Sequence, residues 1–185
     1  DSEHMAYKAQ KGSKWMVVLD GKEGPKYDNV GTPVFSPDSK HVAYIAEKGL
    51  QKYTVVLDNK EHGVYPTVPA KNNPIFSPDS KRIAFVAVQG KGMVIGTDSG
   101  EGKSYDQVSY PAFSPDSKRM AYPANMEGEW FMVIDGEEGP PYDQTGIFAF
   151  SPDSSRFAYT VKKDEKAYFV LDGKQGPAFT DIAKP

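Results

Sequence analysis

A five-residue phrase that recurs along the chain constrains the fold more than any other feature. Phe-Ser-Pro-Asp-Ser occurs four times, and its aspartates are Asp38, Asp79, Asp116 and Asp153, at intervals of 41, 37 and 37 residues. Counting 37 residues back from Asp38 reaches Asp1, where the chain reads Asp-Ser-Glu-His-Met-Ala-Tyr, close to Asp-Ser-Lys-His-Val-Ala-Tyr at 38–44. Self-similarity at such a period indicates a repeat architecture. We therefore assign five copies within a single domain of residues 1–185, approximately 1–37, 38–78, 79–115, 116–152 and 153–185.

Each copy predicts four short strands, which around the second copy are 34–36, 41–46, 53–57 and 64–68. Asp-Gly pairs such as Asp20-Gly21 and Asp135-Gly136 separate strands and predict tight hairpins, because such turns need residues with positive φ. In the strand 41–46, apolar residues fill both alternating faces, so a sheet is expected on either side. The pattern predicts an all-β fold, a β-propeller with five blades of four antiparallel strands. We expect the ring to be closed by sharing one blade between the two termini.

The repeats resemble the WD40-like repeats of the TolB type, also called PD40. The hallmark of that family is an aromatic-Ser-Pro-Asp turn followed by an Ile-Ala-Phe-like strand. Here Phe35-Ser36-Pro37-Asp38 is followed by Val42-Ala43-Tyr44, and the other copies repeat the pattern. The chain departs from the family in having Ser after each Asp, where Gly is usual, and in having five copies where TolB resembles a six-bladed ring. The resemblance implies the fold but not the function, because the family is functionally diverse. It favours a periplasmic or secreted location, and the residues leave a cytoplasmic one open.

Composition argues against several classes of partner. The 22 basic and 25 acidic residues give a formal net charge of −3, which does not favour binding to a nucleic-acid backbone. The longest apolar runs, such as residues 83–88, are far shorter than the roughly 18 residues that span a bilayer. The chain has no cysteine, so it has neither disulfides nor thiolate metal sites. We therefore expect no nucleic-acid partner and no membrane insertion.

The repeated polar residues have two readings. The five turn aspartates would form a ring of carboxylates if they faced one channel, or each would accept hydrogen bonds within its own turn; we favour the second reading. One repeat position always carries a basic side chain, expected to pair with a nearby carboxylate or carbonyl: His4, His41, Arg82, Arg119 and Arg156. The segment 96–104 is similar to a phosphate-binding loop, but its glycine spacing is too long and it lies between strands. We predict no catalytic residues, no metal and no cofactor.

The loops differ between copies much more than the rest of the repeat does. In propellers of this kind the loops from strand two to strand three, and from strand four to the next blade, lie on one face. The candidate binding residues on that face are Thr32, Asn73, Tyr110, Ile147 and Lys184. Variation in loops suits a contact surface, although drift on an unused surface would look the same.

The function predicted from the sequence is a non-catalytic binding or scaffold module for an unidentified protein or small ligand. It would bind through this loop face and the mouth of the channel. The alternatives are an accessory propeller of a larger enzyme such as a peptidase, or a structural unit that self-assembles through an open blade edge.

Overall fold

The computed structural model describes residues 4–69 and 73–182, and these form β-strands and turns without any α-helix. The all-β prediction is confirmed. Within the described ranges there is thus no helix of a length and hydropathy that would cross a membrane. The chain divides into two compact units, residues 1–104 and 105–185.

The first unit contains three antiparallel sheets, A to C. Sheet A comprises β1 (Ala6–Lys11), β2 (Lys14–Leu19) and β3 (Lys22–Glu23). Sheet B comprises β4 (Asn29–Val30), β5 (Val34–Phe35), β6 (Val42–Glu47), β7 (Tyr53–Leu57) and β8 (Lys60–Tyr65). Sheet C comprises β9 (Ile75–Phe76), β10 (Ile83–Gln89), β11 (Gly92–Thr97) and β12 (Gly100–Glu101).

The second unit contains sheets D and E, which are also antiparallel. Sheet D comprises β13 (Gln107–Val108), β14 (Ala112–Phe113), β15 (Met120–Met126), β16 (Glu129–Ile134) and β17 (Glu137–Glu138). Sheet E comprises β18 (Gln144–Phe150), β19 (Phe157–Lys163), β20 (Lys166–Leu171) and β21 (Lys174–Phe179). The five sheets are the five predicted blades.

The repeats and the sheets are out of step by one strand, because each sheet takes its first strand from the preceding copy. In sheet B this strand is split into β4 and β5, which both pair with β6 on either side of an irregular stretch at 31–33. The third strand coincides with the predicted 53–57. The predicted fourth strand at 64–68 is wrong: β8 ends at Tyr65, and Thr67 crosses over to pair with Val88 of sheet C. Val68 then lies buried in the core beside sheet C, which is why the chain leaves sheet B early.

Apolar side chains on both faces of the central strands form the cores between neighbouring sheets of a unit. All five residues from Val42 to Ala46 on β6 are buried, as the sequence predicted. Between sheets A and B the Tyr27 ring packs edge-on against Tyr44, with centroids 6.3 Å apart. Between sheets D and E the Tyr142 and Tyr159 rings repeat this geometry at 6.4 Å. A sheet buried on both faces is the expected packing of propeller blades.

The Asp-Gly hairpins have the predicted backbone conformation. Asp20 and Gly21 have φ of 49° and 78°, so both central residues of the turn are left-handed, as hairpin loops that match the strand twist require. Asp135 and Gly136 repeat this conformation. Sheet A contains three strands among the described residues, as the position of the first copy implies. The predicted closure at the termini falls on 1–3 and 183–185, which lie outside the described residues.

Candidate binding surface

Each sheet has two chemically different ends. The first, here called the turn end, carries the Ser-Pro-Asp-Ser turn between strands one and two and the Asp-Gly hairpin between strands three and four. The second, here called the loop end, carries the hairpin between strands two and three and the connection to the next sheet. The antiparallel pairing of every sheet places these elements on opposite ends.

The aspartates of the Ser-Pro-Asp-Ser turns hold their own turns together. Asp38 Oδ1 accepts a hydrogen bond from the Ser36 hydroxyl at 2.6 Å and one from the Lys40 amide at 3.1 Å. Ser36 Oγ in turn accepts the His41 amide at 2.9 Å. The bond from Ser36, followed by that from Lys40, lowers the pKa of Asp38. The same bonds recur around Asp116, so the structural reading of these aspartates is confirmed.

In two of the turns, the serine that follows the aspartate links one sheet to its neighbour in the same unit. Ser80 has a φ of 66°, a left-handed conformation that glycine adopts more easily. Its buried Oγ accepts the backbone N–H of Asp38 in sheet B at 3.0 Å. In the second unit, Ser154 Oγ accepts the N–H of Asp116 at 2.9 Å. A glycine would relieve the strain but could not make this bond, which accounts for serine where the family usually has glycine.

The hairpin aspartates form a second set of repeated contacts at the turn end. Asp58 Oδ1 accepts the Val42 amide at 3.0 Å, and Asp58 Oδ2 lies 2.6 Å from His41 Nδ1. The same arrangement joins three further pairs of side chains: His4 with Asp20, Arg119 with Asp135, and Arg156 with Asp172. Two of the three histidines, His4 and His41, are therefore paired with carboxylates, as expected from the repeat.

The remaining candidates for chemistry are also structural. His62 packs in the first unit, where burial lowers the pKa of its imidazole. Among the described residues, no three or more histidine or carboxylate side chains are grouped closely enough to hold a metal ion. The segment similar to a phosphate loop is the hairpin between β11 and β12, in which Thr97 Oγ1 accepts the Ser99 amide at 3.2 Å.

In the first unit a cleft of about 280 Å³ opens at the loop end of sheet B. Its polar and aromatic lining includes Lys8, Asn29, Thr32, Glu47, Tyr53 and Asn73. Buried Ile45 and Val68 form its apolar floor. Lys8 Nζ lies 5.3 Å from the centre of the Trp15 ring, a cation–π contact that orients the ammonium group. The cleft thus combines an apolar floor, amide and hydroxyl groups, and one charge of each sign.

In the second unit a cleft of about 450 Å³ opens at the loop end of sheet E. Its lining includes Gln144, Ile147, Thr160, Lys162, Ala167 and Asp181. Lys162 Nζ lies 3.5 Å from Asp181 Oδ1, so the two charges are partly neutralised within the cleft. Gly146 leaves the Thr160 hydroxyl room, because a Cβ atom at that position would lie 2.3 Å from Thr160 Oγ1.

The two clefts occupy the same position in the repeat. In sheet B, Asn29 pairs with Glu47 across the first two strands, and in sheet E, Gln144 pairs with Lys162 at the same place. By the repeat, Tyr53 of the first cleft corresponds to Ala167 of the second. Ala167 is the smaller of these two side chains, and the cleft that it lines is the larger of the two. The backbone of the cleft is therefore repeated while its chemistry changes, including a reversal of charge from Glu47 to Lys162.

The structure brings some of the sequence-predicted residues to these clefts and not others. Thr32 and Asn73 line the first cleft, and Ile147 lines the second. Tyr110 is 40% exposed and belongs to neither lining, and Lys184 lies outside the described residues.

The strand residues in the linings, notably Glu47, Tyr53 and Thr160, were not among the residues predicted from the sequence. Aligning the ends of strands two and three, rather than the loops alone, would have found them.

Comparisons with known proteins agree with this fold. No family model matches the chain, and no curated protein sequence matches it. Among solved structures, TolB from Acinetobacter baumannii superimposes with a TM-score of 0.51 at 13% identity, over 94% of this chain and 51% of that one. A eukaryotic initiation factor gives 0.50 at 13% identity, over 98% and 53%. The β-propeller domain of the trilobed protease from Pyrococcus furiosus gives 0.46 at 17% identity, over 100% and 67%.

At these identities the likeness concerns the fold and not the activity. The chain spans about half the length of TolB and of the initiation factor. Five antiparallel sheets built from one repeat, the aromatic-Ser-Pro-Asp turns and the superpositions on TolB and the initiation factor lead to the same conclusion. The chain has a β-propeller fold, similar to that of TolB.

Proposed function

We propose that the chain is a non-catalytic binding module that holds a polar peptide segment of a partner protein at its loop end. The observation that carries the proposal is the pair of equivalent clefts, which share a backbone frame and differ in their lining. Ligand sites are concave, with an apolar floor and a few placed polar groups. Both clefts have this composition, whereas at the turn end the repeated serines, aspartates and basic residues bond to one another.

The lining of the first cleft favours a polypeptide. The amide of Asn29 and the hydroxyl of Thr32 are exposed and suit the N–H and C=O groups of an extended peptide. Lys8 and Glu47 offer one charge of each sign, which suits a segment without large net charge. The overall charge of −3 supports a protein partner over a nucleic acid.

The absence of catalysis is part of the proposal. In each described lining a single carboxylate is present, Glu47 in the first cleft and Asp181 in the second, and neither lining includes histidine or cysteine. General acid–base or nucleophilic catalysis needs a second group within hydrogen-bonding reach. Asp181 has Lys162 beside it, an arrangement that favours a fixed charge over proton transfer.

The test is selection of peptides from a random displayed library, followed by titration with three variants. Thr32→Arg fills the first cleft and Ile147→Arg fills the second, and both positions are exposed. Ser99→Arg is the matched control, because it places the same side chain at an exposed turn-end position. We expect selected peptides to lose at least about tenfold in affinity with one of the cleft variants, or about 1.4 kcal/mol, and to keep it with the control. Equal affinity for all three variants, or no enriched peptide, would overturn the proposal.

A further inference from the structure

A smaller cavity lies at the turn end, between sheets A and B of the first unit. It has a volume of about 190 Å³, and its apolar walls are Val17, Leu19 and Val42. Because pockets for drug-sized ligands measure about 300–1,000 Å³, this one suits a single small ring. It shares no lining residue with the two loop-end clefts, so it is a separate site.

The Tyr44 hydroxyl borders this cavity without a hydrogen bond. The side chain is 2% exposed, and its oxygen has no partner among the described residues. The Tyr27 ring packs edge-on against it, but the Tyr27 hydroxyl donates to Glu61 Oε1 at 3.2 Å. Burial raises the pKa of Tyr44 to about 12, so the hydroxyl keeps its proton at neutral pH. A buried hydroxyl without a partner is unfavourable, and a ligand that accepts its hydrogen bond would remove this penalty.

Gly24 and Asn59 shape the cavity beside this hydroxyl. A Cβ atom at position 24 would lie 2.8 Å from the Val17 carbonyl oxygen, 3.2 Å from Asn59 Oδ1 and 3.9 Å from the Tyr44 oxygen. Glycine therefore keeps space open between an amide acceptor and a phenolic donor. Asn59 has a φ of 65°, which glycine adopts more easily. Three other copies do have glycine at this position: Gly21, Gly136 and Gly173.

The next junction of the same unit, between sheets B and C, has a side chain at the position of Gly24. The Gly24 amide donates to the Val17 carbonyl at 3.0 Å, and His62 of sheet B pairs with the equivalent Val55. The other four copies all have glycine at this position: Gly24, Gly102, Gly139 and Gly176. The repeat thus replaces glycine by an imidazole at one junction.

The imidazole of His62 lies between sheets B and C. Its Nε2 atom is buried and has no hydrogen-bond partner within the described ranges. Burial, followed by the Lys60 charge, lowers its pKa, whereas the Asp98 carboxylate of sheet C raises it, so the ring lies near Asp98. Asp98 has the repeat position of Asp58, which lines the cavity between sheets A and B. A neutral five-membered nitrogen ring therefore occupies, in this junction, the place that the cavity has in the preceding one.

The charges in the cavity lining disfavour an anionic ligand. The lining has three carboxylates and one ammonium group: Asp20, Glu23, Asp58 and Lys22. The three carboxylates already bind basic side chains, since Asp20 and Asp58 pair with histidines and Glu23 Oε1 accepts from Lys11 Nζ at 2.9 Å. The neutral polar side chains of the lining are then one donor, the Tyr44 hydroxyl, and one amide acceptor, Asn59 Oδ1.

We propose that the cavity between sheets A and B binds a neutral azole, a five-membered aromatic ring with one N–H group and one bare nitrogen, of which imidazole is the simplest. The Tyr44 hydroxyl donates to the bare nitrogen and Asn59 Oδ1 accepts the ring N–H. Val17, Leu19 and Val42 pack against the ring. The site does not depend on the loop-end function proposed above, because none of these residues lines the two clefts.

The test is a titration with imidazole at pH 8, where the ring is largely neutral, followed by amide proton–nitrogen NMR spectra. We expect saturable shifts confined to amides around the cavity, such as those of Gly24 and Asn59, with a dissociation constant in the millimolar range. 1-Methylimidazole, which lacks the N–H, should bind about fivefold more weakly. Shifts that do not saturate, or that spread over the surface, would overturn the proposal.

Two substitutions taken from other copies test the donor and the acceptor. Tyr44→Phe introduces the residue that the third copy has as Phe85, and Asn59→Gly introduces the residue that the first copy has as Gly21. Each variant should remain folded and bind imidazole about fivefold more weakly. Tyr159→Phe is the matched control, because it makes the same change at the same repeat position in the second unit. Binding that is as tight in both cavity variants as in the control would refute the assignment.

Opening the equivalent space in the next junction gives an independent check. His62→Gly removes the imidazole side chain from between sheets B and C. Imidazole should then raise the melting temperature of this variant more than that of the wild type, because it fills a second site. A rise no larger than in the wild type would contradict the equivalence of the two junctions on which the choice of ligand rests.

Discussion

The turn end and the loop end of the sheets are stabilised by different kinds of hydrogen bond, although both ends belong to the same repeat. At the turn end side chains do the bonding: Ser36 donates to Asp38, and His41 pairs with Asp58. At the loop end the backbone does most of it, since the Asp28 amide donates to the Glu47 carbonyl at 2.8 Å and the Gly31 amide to the Ile45 carbonyl at 2.8 Å. The side chains that make these turn-end bonds keep the same kind of group from copy to copy, as His41 and Arg119 do at one repeat position. At the loop end, where backbone hydrogen bonds stabilise the fold, the side chains are available to bind a partner.

The contrast is not complete, because some loop-end side chains also stabilise the fold. Asp106 Oδ2 accepts the Glu127 amide at 2.8 Å, and Asp143 Oδ2 accepts the Asp164 amide at 2.8 Å. These aspartates hold the hairpin between strands two and three of the following sheet. The cleft residues Asn29 and Gln144 come directly after such positions. Structural and variable residues therefore alternate along the loop end.

The largest effect should come from a buried serine of the turn end. Ser114 is fully buried; its hydroxyl donates to Asp116 at 2.6 Å and accepts the Arg119 amide at 2.9 Å. Ser114→Ala leaves that amide unsatisfied, and we expect a loss of about 2 kcal/mol in the free energy of unfolding. Urea denaturation measures it. A loss no larger than that of an exposed loop-end substitution would erase the distinction between the two ends.

A smaller effect should distinguish bonding from backbone strain at Ser80. Ser80→Ala removes the bond to the Asp38 amide and keeps a side chain at φ 66°, so we expect a loss of about 1 kcal/mol in unfolding free energy. Ser80→Gly removes the same bond and relieves the strain, so its loss should be smaller. Urea denaturation of both variants checks the order. The opposite order would show that strain does not matter at this position.

The turn aspartates should make the stability of the fold sensitive to acid. Bonds from Ser151, and then from Ser155, lower the pKa of Asp153 to about 2. Because the folded pKa lies below the unfolded value of about 4, the stabilisation is complete above pH 4 and is lost as the pH falls towards 2. Melting temperatures of the wild type and Asp153→Asn should therefore differ at neutral pH and converge over that interval. A difference that persists at pH 2 would contradict this account.

The smallest change in stability is expected at the loop end. Thr32→Ala and Gln144→Ala alter exposed cleft residues, and each should change the unfolding free energy by no more than about 0.5 kcal/mol. Any peptide selected on the wild type should nevertheless bind one of them more weakly. Urea denaturation and a binding titration on the same samples check both statements. Large destabilisation by Thr32→Ala would place that residue among the structural ones.

The repeat was sufficient to predict the strands whose neighbours lie in the same copy. The third strand, Tyr53–Leu57, agrees with its prediction because its alternation and its following hairpin are local features. The fourth strand was misplaced because Val68 is buried against sheet C, a contact with the next copy that the local pattern does not contain. The same limit applies to the candidate site. Thr32 and Asn73 were chosen from loop variation, whereas Glu47 and Tyr53 join them through strand pairing.

The sequence by itself determined the blades, their number and the turn chemistry, because a turn is specified by residues within a few positions of one another. Asp20-Gly21 needs no distant partner to form its hairpin. The tertiary structure decided which side chains converge. The Ser80 hydroxyl reaches the Asp38 amide 42 residues away, and Tyr7 stays exposed where Tyr44 is buried, although both occupy the same repeat position. Equivalent positions in the repeat carry similar residues in every copy. Whether such a residue is buried depends on the neighbouring sheet, and that is decided by the packing of one sheet on the next.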